Sequence, residues 1–391
     1  MPRAASCAEH SIAPLMRIAL VAGEASGDLL GGLLLDGLKA RWPQAQFVGI
    51  GGPQMAGRGM QAWWPSEKLA VRGYIEVLRH YREIVGIRND LKARLLQDKP
   101  DIFIGIDAPD FNLDLERDLK SAGIKTAHFV SPSIWAWRPE RIEKIRTAVD
   151  HVLCIFPFEK KIYDDAGITA SYVGHPLAGV IPMQPDRAAA RGLLGLNDED
   201  TVLALLPGSR ADEVKYLISK LFGAVALIES ARNAIKFIVP CIPALMPAIE
   251  RAARRAGIMD RVQLVQGQSH AVLAACNVAI VASGTATLEA ALFKRPMVIA
   301  YNMHWLSWQM MKRKQLQPWV GLPNILCGEF VVPELLQGNC TPQALAEAVQ
   351  SWLQSPEKIR ALEQRFTALH TDLQRNTPEL ASDAIAQVLS H

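Results

Sequence analysis

Ile18-Ala19-Leu20-Val21-Ala22-Gly23-Glu24-Ala25-Ser26-Gly27-Asp28 is a short apolar run that stops at a glycine-bearing turn and opens into an amphipathic stretch, residues 27–40. Five apolar residues without alternation predict a strand buried on both faces, as in a parallel sheet covered by helices. Glycines at the turn permit a tight bend and a close approach of ligand to backbone. The helix start that follows offers N–H donors. The spacing is neither G-x-G-x-x-G nor a P-loop with its lysine, so neither nucleotide fingerprint applies. A plain strand-to-helix turn capped by Ser26 or Asp28 is the alternative.

The same alternation runs outward from this stretch. Strands are expected at 18–22, 47–50, 102–106, 126–130, 152–155 and 172–173, with helices at 27–40, 111–122 and 139–149 between them. Residues 176–197 then carry Pro176, Pro182 and Pro185 without a strand signal, and the domain linker is expected near their start. Strands resume at 202–206, 236–239, 263–265, 278–281 and 297–300, with helices at 212–230, 243–256, 269–275 and 286–293 and a helical tail over 341–391. A chain of 391 residues is too long for one ordinary core and fits two such βαβ domains. Ligands of such sheets bind beyond the carboxyl ends of the strands.

Six strand-end segments carry the candidate chemistry. The first is the opening turn. In the second, Gly105-Ile106-Asp107-Ala108-Pro109-Asp110-Phe111-Asn112, Asp107 is placed to take a proton from an attacking hydroxyl. Asp110 alternatively caps the next helix, and the pair without a His or Glu cluster is poor support for a metal. In the third, Ser131-Pro132-Ser133-Ile134-Trp135-Ala136-Trp137-Arg138, the tryptophans either wall a sugar or acyl site beside an anion-binding Arg138 or pack in the core. In the fourth, Leu206-Pro207-Gly208-Ser209-Arg210, backbone amides plus a guanidinium suit a diphosphate, against an ordinary capped turn. In the fifth, Ser283-Gly284-Thr285 opens a helix in which Glu289 follows one turn on, either to accept from ribose hydroxyls or simply as a favourable charge. In the sixth, Asn324 follows Pro323 and either donates to a ligand or forms an Asx turn. His175 marks the linker and reads as structural.

Composition narrows the function classes. Half of the residues are hydrophobic and 21% charged, as in a packed globular protein, and a net charge of +3 gives no argument for nucleic acid. Cys7, Cys154, Cys241, Cys276, Cys327 and Cys340 form no C-x-x-C pair and read as buried thiols of a reducing compartment. The first fifteen residues lack the apolar centre of a signal peptide, and no apolar run reaches the roughly 18–20 residues of a membrane span. The best run, 271–282, contains Asn277. Two segments mix apolar and basic residues: 74–87, with Ile75, Val77 and Leu78, and 304–319, with Trp305, Trp308 and Trp319 beside Lys312, Arg313 and Lys314. Each reads as a helix lying on an anionic membrane surface or as one packed on its own core.

GEASGD, GIDAPDFN, SPSIWAWR, LPGSR, SGTATLE and LPNIL stand here in the order found in the lipid-A-disaccharide synthase family, which the chain resembles from about residue 16 to its end. The resemblance implies an α/β GT-B fold with two Rossmann-like domains whose parallel sheets face a central cleft. It implies an acceptor and lipid domain at 16–180, a UDP-sugar domain at 181–370 and a C-terminal helix at 371–391 returning to the first domain. Residues 1–15 are an extension outside it, expected to be disordered. The implied reaction is an inverting transfer from UDP-2,3-diacylglucosamine to 2,3-diacylglucosamine 1-phosphate (lipid X), giving the β-1,6-linked disaccharide 1-phosphate and UDP, with no cofactor and no metal. By the same resemblance Asp107 is the base. Gly208, Ser209, Arg210, Ser283, Gly284, Thr285, Glu289 and Asn324 bind the donor. Glu24, Ser26, Gly27, Trp135 and Arg138 line the acceptor side. Since the acyl chains of such substrates need an apolar host, the segment 74–87, with Ile75, Val77 and Leu78, is expected to contact lipid. The expected setting is the cytoplasm of a Gram-negative bacterium, peripherally on the inner face of the inner membrane, with an anionic phospholipid surface as partner, no nucleic acid, and a homodimer left open. A UDP-sugar 2-epimerase, the transferase that adds N-acetylglucosamine to a lipid-linked muramyl peptide, and a non-catalytic nucleotide-sugar sensor are the competing readings.

Overall fold

The computed structural model describes residues 15–69, 74–136, 138–231 and 235–390. The chain divides into two compact units, Met1–Pro176 with Arg375–His391, and Leu177–Gln374. Each is built on one parallel sheet with helices against it.

The first unit contains β1 (Arg17–Ala22), β2 (Gln46–Gly51), β3 (Gln61–Pro65), β4 (Ile102–Ile106), β5 (Lys125–Phe129), β6 (His151–Cys154) and β7 (Ala170–Tyr172). Their order in the sheet is β3-β2-β1-β4-β5-β6-β7. Ile18 to Ala22 and Ile102, Phe103, Ile104 and Ile106 are fully buried, which is why these central strands read as unbroken apolar runs. The second unit contains β8 (Thr201–Leu206), β9 (Ile235–Cys241), β10 (Val262–Gln266), β11 (Val278–Ala282), β12 (Met297–Tyr301) and β13 (Glu334–Leu336), in the order β10-β9-β8-β11-β12-β13. Both sheets therefore start in the middle, grow one way for two strands and then reverse. The reversal falls between β1 and β4 in one unit and between β8 and β11 in the other.

Two strands escape the sequence reading, β3 and β13. Both are edge strands. The run Gln61-Ala62-Trp63-Trp64-Pro65 is exposed or half-buried throughout, and Glu334–Leu336 is three half-buried residues. With one paired side and no fully buried residue, neither shows the unbroken apolar run of a central strand.

The proline-bearing stretch after Pro176 folds as two short helices, Pro176–Val180 and Arg187–Leu194. Arg191 in the second is buried. It donates to the carbonyls of Ala275 (3.1 Å), Asn197 (2.7 Å), Asp198 (2.5 Å) and Asp200 (2.9 Å), and to Oδ1 of Asn277 (3.0 Å). Asn277 also accepts from the Val202 amide at 2.9 Å. The polar residue that interrupts the longest apolar run is thus a tie between this stretch and the second sheet.

The helix Tyr74–Asp98 sends Ile87, Leu91 and Leu95 into the core of the first unit, with Ile84 partly buried beside them. Arg88 and Lys92 pair with Asp114 (3.2 Å) and Asp118 (2.8 Å). From Ile84 on, the segment is an ordinary core helix; the side chains of Ile75, Val77 and Leu78 lie outside the described ones. Among the described residues no helix is long and apolar enough to cross a membrane. Cys154, Cys241, Cys276 and Cys340 are buried free thiols, and Cys7 lies outside the described residues.

The last helix, Thr377–Ser390, packs along Ala25–Arg41 of the first unit. Arg41 pairs with Asp383, and a Cβ at Gly37 would overlap the Pro378 backbone. Gly37→Ala is expected to lower the stability of the first unit by about 1–3 kcal/mol, the range for overpacking a close contact. Urea unfolding followed by limited proteolysis checks this: the tail should become the early cleavage site, and an unchanged midpoint with a protected tail would refute the close approach.

Candidate functional site

In the first unit the candidate residues gather where the sheet reverses. Gly23 ends β1, and a Cβ there would stand 3.2 Å from Cβ of Ala108, so the two turns touch. Glu24 is half-buried, Ser26 exposed and Gly27 buried. Asp28 does not cap its own helix. Its carboxylate accepts from the amides of Gly52 (2.8 Å), Gln54 (2.9 Å) and Met55 (3.0 Å), and so caps the short helix Pro53–Ala56 after β2.

Asp107 and Ala108 follow β4 with φ of 50° and 44°, both left-handed. Each non-glycine residue in this region costs on the order of 1 kcal/mol, and such turns persist only where the surroundings hold them. Here the Asp107 amide donates to the Phe129 carbonyl at 2.9 Å, the Ala108 carbonyl accepts from Phe111 and Asn112, and Pro109 starts the helix Pro109–Ser121. Asp107 lines a cavity of about 320 Å3 together with Asp110, Ser131, Ser133, Arg138 and Arg141. Asp110 sits inside the first turn of the helix, not at its cap, and reaches out to Arg141 and, at 3.9 Å, to Arg138. Arg141 was not singled out in the sequence; it follows Arg138 by three residues and completes a two-guanidinium wall facing the carboxylates.

Trp135 is half-buried, and its indole N–H donates to Glu159 at 3.0 Å. It stands edge-on to Phe158 (5.2 Å between centroids) and Phe156 (6.3 Å). Glu159 also accepts from the amides of Phe156 (3.0 Å) and Ile155 (3.2 Å). The Trp135 loop is thus anchored inward by a buried carboxylate. Trp137 lies outside the described residues. His175 is buried against Phe156, and burial pushes its imidazole down to about 4, so it is a neutral core residue near pH 7.

In the second unit β8 and β11 end at the corresponding reversal. Gly208 has φ of 109°, which only glycine adopts freely. The amides of Ser209 and Arg210, expected to receive a diphosphate, point to one carboxylate oxygen of Glu213 (2.9 and 3.3 Å), whose other oxygen takes the Arg210 guanidinium at 2.6 Å. Glu213 thus takes the groups that the sequence reading offered to an anion. Ser283 and Gly284 lead into the helix Thr285–Leu292, on which Glu289 lies 3.2 Å from Nε2 of His270. Asn324, expected to help position the phosphates, has its side chain turned inward. It is fully buried, its amide nitrogen donating to the Val332 carbonyl (2.9 Å) and Glu334 (2.8 Å) and its oxygen accepting from the amides of Val331 (2.9 Å) and Val332 (3.0 Å). All of its hydrogen-bonding capacity is spent inside its own loop. Among the described residues no three His, Cys, Asp or Glu side chains converge as a metal site.

Comparison with known proteins gives a consistent picture. A family profile described as lipid-A-disaccharide synthetase matches residues 18–385. A lipid-A-disaccharide synthase of Albidiferax ferrireducens is 67% identical over 97% of this chain and 99% of the relative. That of Verminephrobacter eiseniae is 62% identical over 97% and 98%, and that of Burkholderia pseudomallei 50% over 96% and 97%. Among solved structures, the UDP-GlcNAc 2-epimerase of Neisseria meningitidis bound to UDP-GlcNAc superposes with a TM-score of 0.64 at 12% identity, covering 96% of this chain and 100% of its own. A glycosyltransferase from Rickettsia africae gives 0.58 at 9% identity, covering 96% and 98%. At such identities the likeness is one of fold, the GT-B class of α/β architecture.

Burial pushes Glu159 up to about 7, against the hydrogen bonds from Phe156, Trp135, Ile155 and Ser131 that favour its charged form. A carboxyl raised in the folded state holds its proton more tightly there, so stability is lost as pH rises from about 4.5 through about 7. Glu159→Gln cannot ionise. Its stability relative to the wild type should rise across that window by on the order of 3 kcal/mol and then level off. Parallel melting curves across pH would refute the assignment.

Proposed function

The chain belongs to the lipid-A-disaccharide synthase family, glycosyltransferases of lipid A biosynthesis, and on that premise we propose that it transfers 2,3-diacylglucosamine from UDP-2,3-diacylglucosamine to the 6-hydroxyl of 2,3-diacylglucosamine 1-phosphate with inversion. The observation that carries this reading is 67% identity over 97% of the chain.

In the proposed step the acceptor oxygen attacks the anomeric carbon while its proton passes to Asp107. The bond to the diphosphate breaks through an oxocarbenium-like state, and UDP leaves with the electron pair. Support comes from the cavity that Asp107 lines, where Arg138 and Arg141 offer guanidinium groups suited to the acceptor 1-phosphate. Glu24, Ser26, Gly27 and Trp135 belong to the same reading as acceptor-side residues. Arg210, released from Glu213, neutralises charge on the departing diphosphate together with the amides of Gly208 and Ser209 and the helix start at Ser283, Gly284 and Thr285. Glu289 accepts from ribose hydroxyls. Asn324 acts indirectly, by holding the loop that Glu334 also anchors through the amides of Val320 and Gly321.

The acyl chains call for an apolar host. We place the protein peripherally on the anionic inner face of the inner membrane, with Ile75, Val77 and Leu78 as the lipid contact. Replacing all three with Ser should weaken binding to phosphatidylglycerol vesicles, and unchanged binding would remove this contact.

The reaction is tested by UDP release from the donor lipid with and without lipid X in detergent micelles. Release that depends on the acceptor, with a disaccharide product, is expected, and release without the acceptor would overturn the transfer. Asp107→Asn should lower kcat at least about 100-fold, the lower end of the range for loss of a general base. Arg210→Ala should raise the donor KM and lower kcat together. Full activity in Asp107→Asn would remove the base assignment while leaving the family reaction in place.

A further inference from the structure

Directly behind Asp107 the first unit buries a polar cluster that the transfer chemistry leaves unassigned. Asn112 and Glu116 are four residues apart on the helix Pro109–Ser121, a spacing that puts both on one face, and both are fully buried. The Asn112 amide donates to the Asp107 carbonyl at 2.8 Å and, more distantly, to those of Val21 (3.4 Å) and Ile106 (3.5 Å). It therefore stitches the ends of β1 and β4 to the turn that carries Asp107. Glu116 reaches Nδ1 of His128 on β5 at 2.7 Å, and His128 is buried as completely. The sheet register sets His128 beside Gly105, two residues before Asp107, and a Cβ at Gly105 would overlap the Glu116 carboxylate. The next residue of β5, Phe129, holds the Asp107 amide.

Such a cluster is unfavourable for stability. Asn112 Oδ1, Glu116 Oε2 and His128 Nε2 are all buried without a hydrogen-bond partner. Replacing a buried ion pair by packed apolar side chains is commonly neutral or stabilising. A leucine and a phenylalanine would fill the space with less penalty, so the groups point to a role at the neighbouring carboxylate. We propose that His128 and Glu116 are positioning residues for Asp107, a buried histidine–carboxyl pair set against the end of β4 that, with Asn112, fixes the left-handed Asp107–Ala108 turn and the direction in which the Asp107 carboxylate enters its cavity.

The charges that reach His128 support this. Burial pushes the imidazole down, but the Glu116 carboxylate, and more weakly that of Asp107, outweigh it and raise it above an ordinary histidine. Its neighbours across the sheet, Gly105 on β4 and Val152 on β6, carry no charge. A histidine raised in this way contributes its pairing fully below the ordinary pKa and loses it as pH rises through the raised one. Above that point Glu116 is left buried without a counter-charge, and the support of the turn loosens.

The inference rests on Asp107 being the base, and its test has one arm that needs no activity. In 15N-histidine NMR, with the His128 signal assigned from its loss in His128→Gln, His128 of the wild type should titrate above free histidine. Its midpoint should fall in Asp107→Asn, and an unchanged midpoint overturns the coupling whatever the enzyme's reaction. The kinetic arm follows acceptor-dependent UDP release against pH. Glu116→Gln keeps an acceptor for Nδ1 but removes the charge. It should lower kcat at least tenfold with both KM values within twofold, and move the alkaline fall of kcat to lower pH. A merely structural pair would lower the melting temperature and leave the shape of the profile unmoved, which refutes the proposal. If a single variant fails to fold, the double variant Glu116→Gln, His128→Gln pairs amide with amide without charge, and wild-type kcat in it overturns the proposal equally.

Discussion

A parallel strand cannot turn back on itself. Each connection must cross a face of the sheet, and crossovers keep one hand. Where successive crossovers change direction, the loops at the carboxyl ends part and leave a place for a ligand. Both sheets of this chain obey that constraint in the same way, reversing after the first three strands. It explains why Gly23, Asp107, Gly208 and Ser283 all stand at the ends of the four strands that flank a reversal. The chemistry is located by topology first and by residue type second.

Much of this was legible in the sequence because central strands are buried on both faces and so appear as short apolar runs. The runs at 18–22, 102–106, 202–206 and 278–281 coincide with β1, β4, β8 and β11 within a residue. Two of the four edge strands were not legible: Gln61–Pro65 and Glu334–Leu336 are at most half-buried, so no unbroken apolar run announces them. Polar residues at the sites divided along similar lines. Asp107 could be picked out because it follows a buried strand immediately. The capping reach of Asp28 to a different helix and the buried pair Glu116–His128 depend on contacts between separate elements, and no local pattern carries them. Glu116 in particular looks like any charge on an amphipathic helix until β5 is laid beside it.

At two strand ends the cationic groups already have carboxylate partners within the protein. Arg141 and Arg138 meet Asp110, and Arg210 with two backbone amides meets Glu213. In the transfer we propose, a phosphate arriving at either place exchanges one anion for another. The net gain is the difference between two interactions, smaller than the full strength of a new one. In that proposed transfer such an exchange favours release as well as capture.

The helix Thr377–Ser390 completes the first unit although the whole second unit lies between them in the chain, and the Arg41–Asp383 contact spans 342 residues. On a ribosome the face of Ala25–Arg41 stays uncovered until Thr377–Ser390 has been made, whereas the second unit has all its parts by Gln374. The order of synthesis and the order of completion are therefore inverted. The N-terminal half, made first, is the half that has to wait for its last helix.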